Sequence, residues 1–316
     1  MTNATETTFA NSVFEQPWWL DTVAKDRWHE AVVCDEAGAV IARLPYVADG
    51  GRVALPKYTQ TLGIWLAPSV REVQRGNDQF ALQKSVVHDF LQQLPKSKSV
   101  DLVLDSSFGY VLPFRWEGYR IEPTFSYRIG DLSDLERVAQ AYSKNIKRDI
   151  NRGGKALVLD TSADSLGDFI ALQNLTYARQ NRKNPIDNAF TETVIKRALD
   201  CGRGHLLMAR DESGQAHAGC FLIYDENVCY LIMSGQDTAF GNDGAMPFLL
   251  DSCIRFAATV SRAFDFEGSM IEGIEQVYRR YGGRQVINWH VSKNGLVGDC
   301  KDLLKPRVKR LIGYKM

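Results

Sequence analysis

"FDFEGSMIEGIEQVYRRYGG" runs from Phe264 to Gly283. Its first residues alternate aromatic with acidic, which in a strand puts Phe264 and Phe266 on one face and Asp265 and Glu267 on the other. Ser269 and Glu272 then form the S-x-x-E pattern that caps a helix start. Met270, Ile274, Val277 and Tyr281 recur at helical spacing as a buried stripe, and Gly282 stands where a helix ends. The pattern predicts strand, turn and helix in immediate succession. Carboxylates on a central strand covered on both faces carry a heavy desolvation cost. Asp265 and Glu267 are therefore expected at a strand end, either lining a cleft or facing open solvent.

The chain of 316 residues is long enough for two domains of ordinary size. Apolar residues make up 45% and charged residues 24%, the profile of a globular protein. Lys plus Arg equals Asp plus Glu at 38 each, so bulk charge selects no partner and attraction to phosphate must come from local clusters. Six cysteines occur without a C-x-x-C pair, mostly inside apolar runs, and read as reduced core thiols. The five histidines show no metal-ligand spacing, so no metal is expected. The amino-terminal stretch is polar, without the basic start and apolar core of a signal peptide, and no run is long enough to span a bilayer. A cytoplasmic location with at most peripheral membrane contact is the expectation.

Two segments echo each other. Asp35-Glu36-Ala37-Gly38 and Asp211-Glu212-Ser213-Gly214 lie 176 residues apart, each between alternating apolar runs that read as three antiparallel strands with tight turns. Further on, "LVLDSS" from Leu102 repeats as "FDFEGS" from Phe264, and each follows a helical stretch. The same order in both halves predicts a duplicated α/β architecture.

Between the copies, Leu135, Val138, Tyr142, Ile146 and Ile150 recur at helical spacing, with Gly153-Gly154 expected to stop that helix. Lys144, Arg148 and Arg152 fall four apart on its opposite face. Such a face is either simply solvated or a seat for a phosphate-bearing ligand, to which Arg279 and the tail cations Lys305, Arg307, Lys309 and Arg310 could add. Adjacent Trp18 and Trp19 cannot both point into one core from a helix, so one is expected to be part exposed. "LPKYTQTLGIW" places Lys57, Tyr58, Thr59 and Gln60 in a loop before an apolar strand, suited to ligand contact.

The duplicated halves, together with "QPWWLDTV", "YSKNIKRDINRGGK" and "FDFEGSMIEGIEQVYRRYGG", make the chain resemble the FemA/FemB-like branch of the GNAT acyltransferase superfamily. The resemblance covers nearly the whole chain and rests on the order of its motifs. It implies an α/β (α+β) protein of two tandem GNAT-like domains, each a mixed, splayed sheet flanked by helices. The domains are expected at 13–131 and 132–300, with the tail 301–316 returning to the first. The family's Y/F-D/N-F-x-G strand end matches Phe264, Asp265, Phe266 and Gly268. Its F-K-x-G-F-G segment matches through Tyr281 and Gly282, while the lysine position falls on Tyr278 with Arg279 next.

What the resemblance implies is an N-acyltransferase or aminoacyltransferase forming an amide on an amine of a cell-envelope precursor, peptidoglycan or surface polysaccharide. The donor is aminoacyl-tRNA or acyl-CoA, and the acceptor a nucleotide-linked or lipid-linked, phosphate-bearing molecule. Asp265 or Glu267 would orient the amine and Tyr278 would donate to the oxyanion. Lys57, Tyr58, Gln60, Tyr142, Lys144, Arg148, Arg152, Ser234 and Arg279 form the expected substrate-binding set. An acetyl-CoA enzyme carries an R/Q-x-x-G-x-G/A turn before its central helix. Here "GQDTAFGNDGAMPF" offers Thr238 and Asp243 at two of those places, an acid where a phosphate would lie. The competing readings are a CoA-dependent N-acyltransferase of amino sugars and a non-catalytic GNAT-like binding scaffold.

Overall fold

The computed structural model describes residues 6–72, 76–178, 183–268, 270 and 272–294. The chain opens with helix α1 (Pro17–Ala24), the strands β1 (Trp28–Cys34), β2 (Val40–Asp49), β3 (Arg52–Ala54) and β4 (Trp65–Leu66), and helices α2 (Pro68–Arg71) and α3 (Gly76–Gln93). Strand β5 (Ser99–Leu104), helix α4 (Leu112–Trp116) and strand β6 (Arg120–Ile129) follow. Next come α5 (Leu135–Ala141), α6 (Lys144–Ala156), β7 (Val158–Asp160), α7 (Leu166–Ala178) and α8 (Asn188–Asp200). The strands β8 (Gly204–Arg210), β9 (Ala216–Tyr224) and β10 (Val228–Gln236) then lead to α9 (Ala245–Val260), β11 (Ala263–Asp265), α10 (Glu272–Arg279) and β12 (Arg284–Asn294).

Two compact units result, one of residues 6–124 with 287–294, the other of 125–286. In the first, β1, β2 and β3 pair antiparallel in sequence, β3 pairs parallel with β5, and β5 pairs antiparallel with β12. In the second, β7, β8, β9 and β10 pair antiparallel, β10 pairs parallel with β11, and β11 pairs antiparallel with β6. Each half is therefore a mixed sheet in which antiparallel strands lead to one parallel pair and then an antiparallel one, with β7 as an additional strand in the second, and the repeated order of elements is the one the internal echo predicted. The first core gathers residues such as Leu44, Phe90, Leu102 and Phe114, and the second Leu222, Leu249, Ile254 and Phe264.

The echo extends to individual turns. The Asp35 carboxylate accepts the backbone N–H groups of Ala37 and Ala39, and that of Asp211 those of Ser213 and Gln215. Gly38 and Gly214 close the two turns at φ of 82° and 85°, a left-handed conformation that glycine adopts without steric cost.

Several expectations are corrected. The helix read over Leu135 to Ile150 is two helices, because Tyr142 turns extended and Ser143 starts α6, accepting the N–H of Ile146. Gly153-Gly154 do not stop α6, which continues to Ala156. Their role is close packing: a Cβ at Gly153 would stand 2.5 Å from the Gly244 carbonyl oxygen at the start of α9. Trp18 and Trp19 are both buried, since α1 is covered on more than one side. The Trp19 indole donates to the Thr59 hydroxyl at 3.0 Å, which takes Thr59 out of the ligand-contact loop. Cys34 is exposed, whereas Cys220, Cys229 and Cys253 are buried and free, as expected of core thiols. Ser269, Cys300 and the tail with Lys305, Arg307, Lys309 and Arg310 lie outside the described residues. No helix among the described residues is long and apolar enough to cross a membrane.

Candidate active site

Strands β10 and β11 run parallel for only three registered pairs, Val228 to Ala263, Cys229 to Phe264 and Tyr230 to Asp265. Beyond them β10 continues beside β9 as far as Gln236, with a register shift between Leu231 and Met233. The chain after Asp265 follows β6 instead, the Phe266 N–H donating to the Tyr127 carbonyl. The two parallel strands thus part, and among the described residues the edge of β10 beyond Tyr230 pairs with no further strand.

The first unit repeats the parallel step between β3 and β5, but its own chain lies along the next residues of β5. Leu62 donates to the Val103 carbonyl and Asp105 to the Gly63 carbonyl. Asp105, the counterpart of Glu267 in the sequence echo, is buried and accepts the Ser107 N–H. Among the described residues the second unit shows no matching bonds along β10 beyond Tyr230.

At that splay the strand is shorter than its alternation suggested. β11 ends at Asp265, and Glu267 sits in a turn at φ 58°. Asp265 neither lines an open cleft nor faces solvent: it is 0% exposed. Its carboxylate accepts from the Ser126 hydroxyl, from Arg128 Nε at 2.9 Å and from the Glu267 backbone N–H at 2.7 Å. A fully buried charge is tolerated because every nearby donor is turned toward it. Asp265 thereby fixes the unusual backbone that presents Glu267.

Glu267 is half-buried. This burial, reinforced by the Asp265 charge, raises its pKa well above the ordinary glutamate value. Tyr278 on α10 stacks on Phe266 with ring centroids 4.9 Å apart. Burial, and then the neighbouring Cys220, Glu267 and Asp265, push the Tyr278 hydroxyl upward, so it stays a proton donor. Asp265, Glu267 and Tyr278, the three expected catalytic residues, are therefore brought together. Ser234 is exposed on β10, four residues beyond that strand's last pair with β11.

The remaining substrate-binding candidates are dispersed. Tyr142 is buried, hydrogen-bonded to Asp251 and packed edge-on against Tyr281, and with Asp251, Lys147 and Arg255 it lines a separate pocket of about 460 Å³. Arg279 is exposed and pairs with Glu275 at 3.7 Å. Lys144 is exposed, Arg148 pairs with Asp149, and Arg152 bridges Asp149 and Asn242. Lys57, Tyr58 and Gln60 belong to the first unit, where Tyr58 holds a left-handed backbone at φ 62°. Strain of that kind in a bulky residue is concentrated at ligand-contact loops. Met270 is 69% exposed and Ile274 is exposed too, so the apolar stripe of α10 is buried only toward Val277 and Tyr281.

The phosphate-loop position is filled from within. Asp243 Oδ1 accepts the Ala245 N–H at 2.8 Å, and Oδ2 lies 2.6 Å from His217 Nδ1. His217 stacks on Phe240 and also meets Asp211 at 3.1 Å. Pro247, third in α9, has no N–H to offer, and α6 presses against Gly244. A helix start capped by a carboxylate and overlaid by another helix is a poor pyrophosphate seat. Sequence reading noticed Asp243 but missed His217, whose pairing depends on a strand 26 residues away.

Comparisons with known proteins agree with this geometry. Residues 140–282 match the Acetyltransferase (GNAT) domain family. No curated protein matches the chain. FemX matches with a TM-score of 0.65 at 10% identity, over 88% of this chain and 91% of that one. L-PGS from Bacillus licheniformis gives 0.54 at 13% identity over 94% and 91%. A tandem GNAT protein from the clavulanic acid biosynthesis pathway gives 0.50 at 12% identity over 85% and 83%. At such identities these structures establish the shared fold, two GNAT-like domains in tandem. Residues 140–282 thus match the GNAT acetyltransferase domain family, in a chain that has the fold of FemX.

Proposed function

We propose that the protein forms an amide on an amine of a cell-envelope precursor, taking an acyl or aminoacyl group from a donor that does not dock a pyrophosphate at α9. The observation that carries this reading is the α9 start, where Asp243, His217 and α6 occupy the place a CoA pyrophosphate needs. Aminoacyl-tRNA is the donor this favours. The structural neighbours FemX and L-PGS, and the putative lysylphosphatidylglycerol synthetase of Agrobacterium fabrum, whose C-terminal domain matches at a TM-score of 0.52, support an envelope acceptor, as does the Lys57, Tyr58 and Gln60 loop for a phosphate-bearing one. A cytoplasmic site of action fits the same reading.

In the reaction, the acceptor amine is held in the splay with its nitrogen against the donor carbonyl. Glu267, with its raised pKa, takes the amine proton as the C–N bond forms. The oxyanion that develops is met by the Tyr278 hydroxyl and the unpaired edge of β10. Collapse expels the donor oxygen or sulfur, which leaves with a proton. Asp265 touches no substrate; it holds Glu267 in place and sets its proton affinity.

Thermal shift and transfer assays with acetyl-CoA, aminoacyl-tRNA and a nucleotide-linked amino sugar test the reading. Stabilisation and turnover with aminoacyl-tRNA, and silence toward acetyl-CoA, are expected. Acetyl-CoA-dependent turnover on an amino sugar would overturn the donor assignment, and silence toward all three would point to a binding scaffold.

A further inference from the structure

The first unit carries an exposed aromatic surface that the transfer chemistry does not use. Phe80 on α3 is 49% exposed, and Leu112 and Trp116 on α4 are 51% and 57% exposed. Tyr110 ties them together, its ring 4.6 Å from that of Phe80 and 6.3 Å from that of Trp116. Single exposed apolar residues are ordinary; three exposed large ones on two adjoining helices, two of them aromatic and joined through the half-buried Tyr110, are not.

The charges around this cluster select its occupant. Lys84, one turn after Phe80, stands 5.3 Å over the Trp116 ring, and Arg115 is exposed beside it. His88 continues the same face of α3, within 3.7 Å of Glu117, the acid at the rim. Between α3 and α4 a pocket of about 280 Å³ is lined by Lys84, His88, Pro113 and Trp116. Exposed aromatic rings with a lysine lying over one of them and an exposed arginine alongside are the composition of a bilayer interface contact. The rings enter at headgroup depth, and the cations meet anionic phosphates.

We infer that the α3–α4 face of the first unit docks on an anionic lipid surface, with Phe80, Leu112 and Trp116 inserted and Lys84 and Arg115 on the headgroups. The inference goes beyond the transfer reading and does not depend on it, since vesicle binding is measured without substrate.

The test is co-sedimentation of the full chain with vesicles of equimolar phosphatidylglycerol and phosphatidylcholine, against vesicles of phosphatidylcholine alone. The expected result is binding to the anionic vesicles only, weakening as sodium chloride is added. Lys84→Gln and Arg115→Gln should each reduce the binding constant about fivefold. Phe80→Ser with Trp116→Ser should abolish binding, with circular dichroism showing an unchanged fold. Leu112→Glu, which removes no packing from the core, serves as an independent variant with the same expected loss. The inference is overturned by no binding, by equal binding to both vesicles, or by binding that survives these substitutions. It is also overturned if light scattering shows a dimer that the Phe80 and Trp116 substitutions dissolve, since the face would then join two copies.

Discussion

The side chain of Asp265 accepts the backbone N–H of Glu267 at 2.7 Å, two residues along the same chain, while Arg128 holds its other oxygen. One carboxylate thus serves as a buried anchor so that a second can stand at the opening of the sheet. The acid that looked equally suited to chemistry in the sequence is the one that cannot reach a substrate.

Removing that anchor should be costly. Asp265→Ala removes the buried carboxylate that Arg128 pairs with and strips the turn of its acceptor, a loss of about 3–5 kcal/mol in chemical denaturation. Asp265→Asn keeps an acceptor for the Glu267 N–H but deletes the charge. Its expected signature is a fall in the Glu267 pKa, seen as a shift of the pH–rate profile to lower pH. An unchanged profile in a folded Asp265→Asn protein would detach the two residues.

For Glu267 itself, the role of base predicts activity that rises with pH through its elevated pKa. Glu267→Gln should remove that limb and lower kcat about 10²–10⁴-fold with little change in KM. Steady-state kinetics across pH, once a turnover assay is in hand, decide this.

Close packing of α6 on α9 rests on Gly153. Ala at this position drives a methyl against the Gly244 carbonyl and the Phe248 Cβ, at 2.5 and 2.7 Å. Because one obstacle is backbone, relief requires the helices to separate. A destabilisation of about 1–3 kcal/mol is expected in urea unfolding. Gly154→Ala, which meets only ring atoms of Phe248 at 3.6 Å or more, is the mild control.

Glu15 predicts a pH dependence of stability. It is 0% exposed, accepting the N–H groups of Asn11 and Gly63. Burial raises its pKa from 4.5 to about 7, against the lowering effect of those two hydrogen bonds. The folded state then binds the proton more tightly than the unfolded chain. Its stabilising contribution is full below pH 4.5 and is lost as pH rises to about 7, a change of about 3 kcal/mol. Comparing the wild type with Glu15→Gln across that window should show the wild type losing stability relative to the variant. Parallel curves would mean that Glu15 is ionised throughout.

How far the sequence could be read depended on how local each cause was. The paired D-E-x-G turns, the two helices α3 and α9 and the strands between them were legible because alternation and helical spacing are properties of a few consecutive residues. The repeated order of those elements carried the duplicated fold. The helix break at Tyr142 and Ser143 was not legible, since the apolar spacing runs straight through it. Nor was the course of α6 past Gly153, because a glycine pair reads as a stop unless a second helix is known to need the space.

What the sequence alone determined about this protein is its class: two α/β halves, each of hairpin strands, a helix and a strand, with a small set of polar residues at the end of the second. Tertiary structure decided which of them matter together. It buried Asp265 against Ser126 and Arg128 from β6, left Glu267 at the opening, turned Tyr142 inward and placed His217 beside Asp243. The reason is that burial and charge pairing are set by neighbours brought from tens to more than a hundred residues away. No local pattern encodes that distance.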